Sequence, residues 1–311
     1  MDFKNTHVYN FEGSFYGMRN PKNSWDKSDS FFGVVNLDYV SKDMEIADEW
    51  IKTFHPNLNW PEEFTDEGCN LAEEYADKLI KNGVLRLNDD VADLAFIGPQ
   101  DMKLAQTLIK AGPEHRKFLR QIFVSVDITA PLYWWKELDT YKVATVANST
   151  STMHKLTSKP ITLESFEVDD FNPDIVYYSL PKTIAPTGVI AENDIGMFAD
   201  FMIEQLEFLR QKYLETKDKR YWKELVRWLP NGWLQTRTWT ANYETIRSIC
   251  SSGQRRYHKL NEWSGQDDSS KMNFIKWARE LPYAQYFIFD DENIPFQIET
   301  EKIKCYNLIT R

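Results

Sequence analysis

The sequence predicts a protein of the α/β or α+β class. Segments with helical periodicity alternate with short β-branched segments along the 311 residues, an alternation that is typical of mixed folds. Hydrophobic residues make up 42% of the chain and charged residues 27%, the composition of a globular protein with a sizeable core. No internal repeat, low-complexity tract or domain linker interrupts the pattern. We therefore expect one globular unit over residues 66–311, with residues 1–65 packed on it as an N-terminal extension.

Each element is predicted from a local pattern. Apolar and β-branched residues predict strands over residues 31–40 and 122–129, and a strand beginning within residues 234–242. Apolar residues that recur three and four positions apart, in segments that end at a glycine, predict helices. They cover residues 66–83, 98–112, 131–143, 195–217, 243–263 (with an interruption at 251–253 left open) and 272–281. Three prolines predict a loop over 171–189, and the tail segments 286–289 and 296–298 are predicted to be extended.

The longest predicted helix, residues 195–217, has an apolar face. Phe198, Met202, Leu206 and Leu209 recur at helical spacing, so we expect all four to face the core.

Charge and cysteine content exclude several classes of protein. The net charge of −10 disfavours a duplex-nucleic-acid-binding protein, which needs a basic face. Three widely spaced cysteines and unpaired histidines predict neither a disulfide framework nor a metal site. The N-terminal residues show no signal-peptide pattern, and no apolar run is long enough to span a membrane. We therefore expect a cytoplasmic protein.

Two polar clusters interrupt core-like sequence. The first is TYKVATVANSTSTMHKL, residues 140–156, which follows an apolar and aromatic run. The second begins about 80 residues later with Leu229-Pro230, continues to Asn242 and ends in a basic cluster at residues 255–259. Polar groups from distant segments that meet on folding are typical of a binding or catalytic site.

The order and spacing of these segments resemble the flavin-dependent thymidylate synthase family. The resemblance covers residues 96–157 and 225–265, where IGPQDMKLAQTLIKAG precedes IFVSVDIT and LPNGWLQTRTWTAN aligns without a gap. It implies a central, mostly antiparallel sheet flanked by helices. It also implies a homotetramer with sites at subunit interfaces, where FAD binds across chains. In that family NADPH reduces the FAD, and a methylene group from a tetrahydrofolate donor is used to methylate deoxyuridylate at C5.

The resemblance also implies a set of site residues. Thr145 takes the position of the family's serine and is the candidate catalytic residue. Tyr141, Lys142 and Asn242 are the candidate cofactor-binding residues. The candidate substrate-binding residues are Asn148, Thr150, His154, Lys155, Arg255 and Arg256.

This chain departs from the family where the chemistry takes place. Thr140, Tyr141 and Lys142 replace the family's Arg-His-Arg, Thr152 replaces a phosphate-binding arginine, and Val226 replaces another arginine. Lysine lacks the planar fork of arginine, so bidentate recognition of a phosphate is lost. We therefore predict weak or absent thymidylate synthase activity, with NADPH and a folate donor used only if that activity is retained.

Several alternatives stay open. Asn242 either binds a ligand or caps the helix that follows it. Arg255-Arg256 and His154-Lys155 either bind phosphate or lie on a solvated surface, and Thr145 is either catalytic or structural. The protein is either an FAD-dependent enzyme acting on a pyrimidine nucleotide or a non-catalytic binding protein for a nucleotide-like ligand or a protein partner. An acid–base hydrolase using Asp169-Asp170 or Asp290-Asp291-Glu292 is a third class.

Overall fold

A computed structural model of the chain describes residues 1–36, 91–151, 155–177, 193–250, 259–265 and 271–289. The strands in these ranges are β1 (Asp2–Tyr9), β2 (Phe31–Asn36), β3 (Val91–Phe96), β4 (Phe123–Pro131), β5 (Val146–Ser149), β6 (Val176–Tyr177), β7 (Asn193–Asp194) and β8 (Leu234–Asn242). The α-helices are α1 (Phe11–Arg19), α2 (Pro99–Ala111), α3 (Leu132–Leu138), α4 (Ile195–Thr216), α5 (Lys219–Trp228), α6 (Tyr243–Cys250), α7 (Asn261–Ser264), α8 (Phe274–Arg279) and α9 (Ala284–Phe287). No helix within these ranges is long and apolar enough to cross a membrane.

A four-stranded antiparallel sheet in the order β1-β4-β8-β5, flanked by helices, confirms the predicted mixed fold class. Hydroxyl pairs mark the register between β4 and β8: the Oγ1 atoms of Thr129 and Thr236 lie 2.7 Å apart, and Thr240 Oγ1 lies 3.5 Å from Ser125 Oγ. Two smaller antiparallel pairs, β2 with β3 and β6 with β7, complete the strands in the described ranges.

The chain divides into two compact units. One comprises residues 1–2, 128–141 and 147–238, and the other comprises residues 3–127, 142–146 and 239–311. We call them the α4 unit and the α6 unit after the helices they contain. The predicted boundary of an N-terminal extension at residue 65 lies outside the described residues.

In the α6 unit, buried aromatic side chains hold the start of α6. Tyr243 is fully buried, its hydroxyl donates to the Pro282 carbonyl at 2.8 Å, and its backbone N–H donates to the Ile122 carbonyl at 3.0 Å. The Phe11 ring meets the Tyr243 ring edge-on at 5.7 Å. Because these contacts fix the first residue of α6, the residues on either side of it have a defined position.

In the α4 unit, α4 and α5 pack around one apolar cluster. Its buried members are Leu156, Ile161, Phe166, Leu206 and Leu225. Asp218 caps α5 by accepting a hydrogen bond from the Arg220 backbone N–H at 2.9 Å. The Arg220 side chain, and then that N–H, lower the pKa of Asp218.

The strongest sequence patterns are confirmed. Helix α2 begins at Pro99 and ends before Gly112, and β4 and β8 lie where strands were predicted. The long helix α4 was also predicted, but Phe198 does not face the core: it is 51% exposed, whereas Leu206 is buried. Residues 66–83 and 296–298 lie outside the described residues.

Other element predictions are wrong. Helix α3 stops at Leu138, because the Thr140 hydroxyl donates back to the Glu137 carbonyl at 2.7 Å and closes the last turn. Residues 284–287 form helix α9 instead of a strand, and Phe287, Ile288 and Phe289 are buried, so packing overrides their β-propensity. Helix α5 was not predicted.

Candidate functional site

The first polar cluster contains the edge strand of the main sheet. Strand β5 is the outer neighbour of β8, and every residue of β5 is exposed, Asn148 among them. The turn before it, at Val143 and Ala144, leads from α3 into this edge. Lys142, Asn148 and Thr150 are therefore exposed, whereas Thr145 is half-buried.

Asn242 caps helix α6. Its side-chain Oδ1 accepts a hydrogen bond from the Thr245 backbone N–H at 2.9 Å, and the residue is only 3% exposed. This satisfies one of the N–H groups that a helix leaves unpaired in its first turn. The capping role that the sequence left open is therefore present, and only the Nδ2 group of the carboxamide remains for a ligand.

Thr245 joins this cap to the first polar cluster. Its hydroxyl Oγ1 donates to the Val143 carbonyl oxygen at 2.8 Å, across 102 positions of sequence. Thr245 is 6% exposed, so the bond is shielded from water on the helix side. The fold thus brings the turn at Val143 and Ala144 against the first turn of α6.

The loop between α3 and β5 is strained and exposed. Ala144 has φ = 54°, a left-handed conformation that costs an L-residue about 1 kcal/mol. Val143 and Val146 on either side are 78% and 71% exposed, which is unusual for β-branched apolar residues. Lys142 is exposed and Thr145 is half-buried. Strain and exposed apolar surface in one short loop are typical of a binding surface.

An ion pair occupies the other side of the α6 start. Arg116 Nε donates to both carboxylate oxygens of Glu244, at 2.9 and 3.1 Å, and both side chains are mostly buried. A carboxylate in the first turn of a helix interacts favourably with the positive end of the helix dipole.

A second polar network surrounds the beginning of β8, in the α4 unit. Arg237 donates from Nε to Gln235 Oε1 at 2.9 Å and from one terminal nitrogen to both oxygens of Asp139, at 3.0 and 3.1 Å. Its guanidinium lies 4.4 Å from the centre of the Trp135 ring. Gln235 in turn donates to the Thr150 carbonyl at 3.0 Å, and Thr150 N–H donates to the Thr236 carbonyl at 2.9 Å. This network fixes the backbone just beyond β5.

The other predicted site residues differ in their exposure, and some lie outside the described residues. Tyr141 is half-buried and its N–H donates to the Leu138 carbonyl at 2.9 Å, which ties it to the end of α3. Lys155 is exposed, and its N–H donates to the Ser151 carbonyl. His154, Arg255 and Arg256 lie outside the described residues. Their roles stay predictions.

Sequence reasoning did not single out Thr245 or Gln235. Arg237 is one of the basic residues that the sequence offers as replacements for the lost phosphate-binding arginines, and its pairing with Asp139 was not predicted. Thr245 stands three positions after Asn242, where a helix N-cap places its hydrogen-bond donor, so the capping pattern could have indicated it. Arg237 and Gln235 alternate on a strand and therefore share one face of it, which could have indicated a paired role.

Comparison with known proteins gives only distant structural similarity. No protein-family model matches the chain, and no curated protein matches it by sequence. Among solved structures, the chain is similar to the flavin-dependent thymidylate synthase ThyX of Helicobacter pylori, crystallised with FAD and dUMP. The identity is 13% and the TM-score 0.41, over 84% of this chain and 98% of the other. It is also similar to the UMP/dUMP methylase PolB of Streptomyces cacaoi, bound with 5-Br dUMP, at 14% identity and a TM-score of 0.38, over 62% and 78% of the two chains.

Proposed function

We propose that this chain is a diverged flavin-dependent thymidylate synthase-like protein that binds FAD or a pyrimidine nucleotide beside the start of α6. The hydrogen bond from Thr245 to the Val143 carbonyl carries the proposal. It holds a strained, exposed loop of the first polar cluster against a helix start that Asn242 of the second cluster caps. Lys142, Thr145 and Asn242 are the residues with which this place would contact a ligand.

The groups at this place fit a flavin ring better than a phosphate. An isoalloxazine ring needs hydrogen-bond donors for its carbonyl and nitrogen edge, which the Asn242 amide supplies. It also needs apolar surface for its faces, which the exposed Val143 and Val146 side chains supply. When bound, a flavin provides hydride-transfer chemistry that side chains lack. Lys142 is a single point charge, so it attracts an anion without the directional grip of a guanidinium.

In the catalytic form of the proposal, the nucleotide base is oriented by Thr145 and modified at C5. Asn148, Thr150 and Lys155 stay proposed substrate-binding residues. We expect ordinary thymidylate synthase activity to be weak, because Thr140 and Val226 stand where the family has guanidinium groups.

The non-catalytic alternative, a protein that binds a nucleotide-like ligand or a protein partner, is favoured by the state of two arginines. Arg237 is committed to Asp139 and Gln235, and Arg227 pairs with Glu224 on the surface of α5. Neither guanidinium is placed to replace the lost phosphate contacts without giving up an existing partner.

We also propose that the protein is a homo-oligomer, a tetramer, in the cytoplasm. The exposed apolar side chains of the loop before β5 support it, because a neighbouring chain would cover them.

A pair of substitutions at Asn242 tests the ligand site. Asn242→Ser keeps an oxygen that caps α6 but removes the amide, whereas Asn242→Ala removes both. We expect the alanine variant to lose about 1 kcal/mol of stability and the serine variant much less. If the amide contacts flavin, both variants should bind FAD about tenfold more weakly in a fluorescence titration.

The outcomes separate the hypotheses. Tight FAD binding by wild type and Asn242→Ala alike would contradict the site. FAD binding without tritium release from C5-labelled deoxyuridylate, in the presence of NADPH and methylenetetrahydrofolate, would support the binding protein over the enzyme. Rescue of a thymidine auxotroph by the gene would show that the catalytic form is correct.

A further inference from the structure

Residues 114–120 form a basic segment in an acidic protein. The chain has a net charge of −10, yet the sequence EHRKFLR places Arg116, Lys117 and Arg120 close together, against one carboxylate, that of Glu114. Glu114 pairs with Lys117 at 3.7 Å, so the two arginines leave the segment with a net positive charge. A local positive potential of this kind attracts anions even to an acidic protein.

The turn after α2 sets the position of Arg116. Gly112 has φ = 109°, a conformation that favours glycine, and the chain leaves the helix there. The Gly112 carbonyl accepts hydrogen bonds from the backbone N–H groups of His115, at 3.0 Å, and Arg116, at 3.1 Å. Phe118 and Leu119 follow and are buried. The backbone of Arg116 is therefore held on both sides, by the turn before it and by the core after it.

The Arg116 side chain is anchored through one nitrogen. Its Nε donates to both carboxylate oxygens of Glu244, and the side chain is 18% exposed. Among the described residues, its terminal nitrogens Nη1 and Nη2 have no hydrogen-bond partner, and neither of them is enclosed. Glu244 thus orients the guanidinium and leaves its forked end available for a ligand.

The other buried or half-buried arginines of the described residues differ from Arg116, because each uses a terminal nitrogen within the protein. They are Arg19, Arg210, Arg237 and Arg247. A terminal nitrogen that is already bonded has to lose a partner before it meets a phosphate, and this loss offsets the gain. Arg116 can bind a phosphate while it keeps Glu244.

Arg116 lies beside the proposed ligand site. Glu244, which holds Arg116, precedes Thr245, which holds the loop at Val143, and the two positions are about 100° apart around α6. A ring against this loop and a phosphate at Arg116 would thus occupy neighbouring sides of one helix start. Nucleotides and flavins have such a separation, because a ribose or ribityl chain stands between the ring and the phosphate.

We propose that Arg116 is a phosphate-binding arginine of this chain, whose terminal nitrogens receive the phosphate group of a flavin or a pyrimidine nucleotide. A planar guanidinium matches two phosphate oxygens, a geometry that the Lys142 ammonium lacks. Lys117 and Arg120 add to the attraction. The identity of the ligand rests on the proposed function, whereas the phosphate site can be tested without a flavin.

The first test compares ligands that share a ring and differ in phosphate. Riboflavin, FMN and FAD are titrated into the full chain and followed by fluorescence. Arg116→Gln is expected to weaken the binding of FMN and FAD about tenfold or more and to leave riboflavin binding unchanged. Arg116→Lys, which keeps the charge without the fork, is expected to lie between. Calorimetry with dUMP and deoxyuridine tests the nucleotide in the same way.

Two further variants control for charge and folding. Arg120→Gln removes one positive charge from the same segment, where the side chain is exposed and donates to the Pro113 carbonyl at 3.3 Å. It is expected to weaken FMN binding less than about threefold, because it leaves the fork of Arg116 in place. The double variant Arg116→Gln/Glu244→Gln avoids an unpaired carboxylate, so it replaces the single variant if circular dichroism shows that the latter is unfolded.

Inorganic pyrophosphate, titrated by calorimetry, separates this inference from the proposed function. If the wild type binds pyrophosphate but no flavin or nucleotide, and Arg116→Gln loses that binding, the phosphate site is supported and the proposed ligand is overturned. Unchanged FMN and dUMP affinity in folded Arg116→Gln would overturn the phosphate site alone. So would a loss of riboflavin affinity as large as that of FMN, or equal losses in Arg116→Gln and Arg120→Gln. A wild type that binds neither pyrophosphate nor a phosphate-bearing ligand would overturn both.

Discussion

The two ends of β8 carry polar networks of different kinds. At the beginning, Arg237, Gln235, Asp139 and Thr150 satisfy one another, and the Arg237 guanidinium is covered by the Trp135 ring. At the end, Asn242 and Thr245 use their side chains to hold backbone atoms, and the loop that they hold stays exposed.

The comparison distinguishes polar groups that only stabilise the fold from polar groups that can bind a ligand. A guanidinium with a carboxylate, an amide and an aromatic face as partners gains little by meeting a phosphate, because it must first lose them. The loop that Thr245 holds through a backbone carbonyl keeps the Lys142 side chain exposed. Charge alone favours the beginning of β8, where the arginine is, whereas the proposed site lies at its end.

The largest expected effect comes from removing Arg237. Arg237→Ala leaves the Gln235 side-chain oxygen buried without its donor and uncovers the Trp135 ring, so we expect a loss of about 2 kcal/mol in urea unfolding. Arg237→Lys should lose less, because it keeps the charge but not the fork or the stacking. Asp139→Asn should cost at most about 1 kcal/mol, since Asp139 is half-exposed.

FAD affinity is the decisive control for this network. If the network around Arg237 only stabilises the fold, the folded Arg237→Lys variant should bind FAD as tightly as the wild type does. A tenfold loss of FAD affinity with unchanged stability would instead make Arg237 part of the ligand site.

An intermediate effect is expected at Thr245, where one substitution removes the hydroxyl group and another keeps it. Thr245→Val removes the hydroxyl that bonds the Val143 carbonyl, whereas Thr245→Ser keeps it. We expect the valine variant to lose about 1 kcal/mol of stability, and the serine variant less.

The FAD titration shows whether this bond positions the loop. Thr245→Val is expected to bind FAD more weakly, while Thr245→Ser binds it nearly as well as the wild type. Equal FAD affinity in both variants would mean that the loop keeps its position without the bond.

Local patterns predicted the elements whose own residues determine them. The proline and glycine that bound α2 set its ends, and β-branched alternation set β4, because both act within a few residues. The tail was mispredicted because buried Phe287 and Ile288 take their conformation from the core around them, a contact that no local pattern contains.

The candidate site was predictable in its parts but not in its connections. Asn242 was predicted either to cap α6 or to bind a ligand, and the cap is present. Thr245 was missed because its partner Val143 is 102 residues away. The pairing of Arg237 with Asp139 was not predicted because it depends on how α3 packs beside β8. Phe198 was placed in the core because α4 is apolar on two faces, and periodicity alone does not say which face is covered.

The smallest expected effect is a gain of stability, at Ala144. Glycine adopts a φ of 54° without the steric cost that alanine bears. Ala144→Gly should therefore raise the free energy of unfolding by about 0.5 kcal/mol, because the relief of strain exceeds the added freedom of the unfolded chain.

If the left-handed turn presents Lys142 and Thr145 to a ligand, Ala144→Gly should bind FAD about as well as the wild type, since glycine keeps the turn. Ala144→Val should lower the free energy of unfolding and weaken FAD binding, because a β-branched residue is strongly disfavoured at this φ. Urea unfolding and FAD titration of the two variants together measure whether the strain belongs to the ligand site, and a loss of stability in Ala144→Gly would show that the turn is not strained in solution.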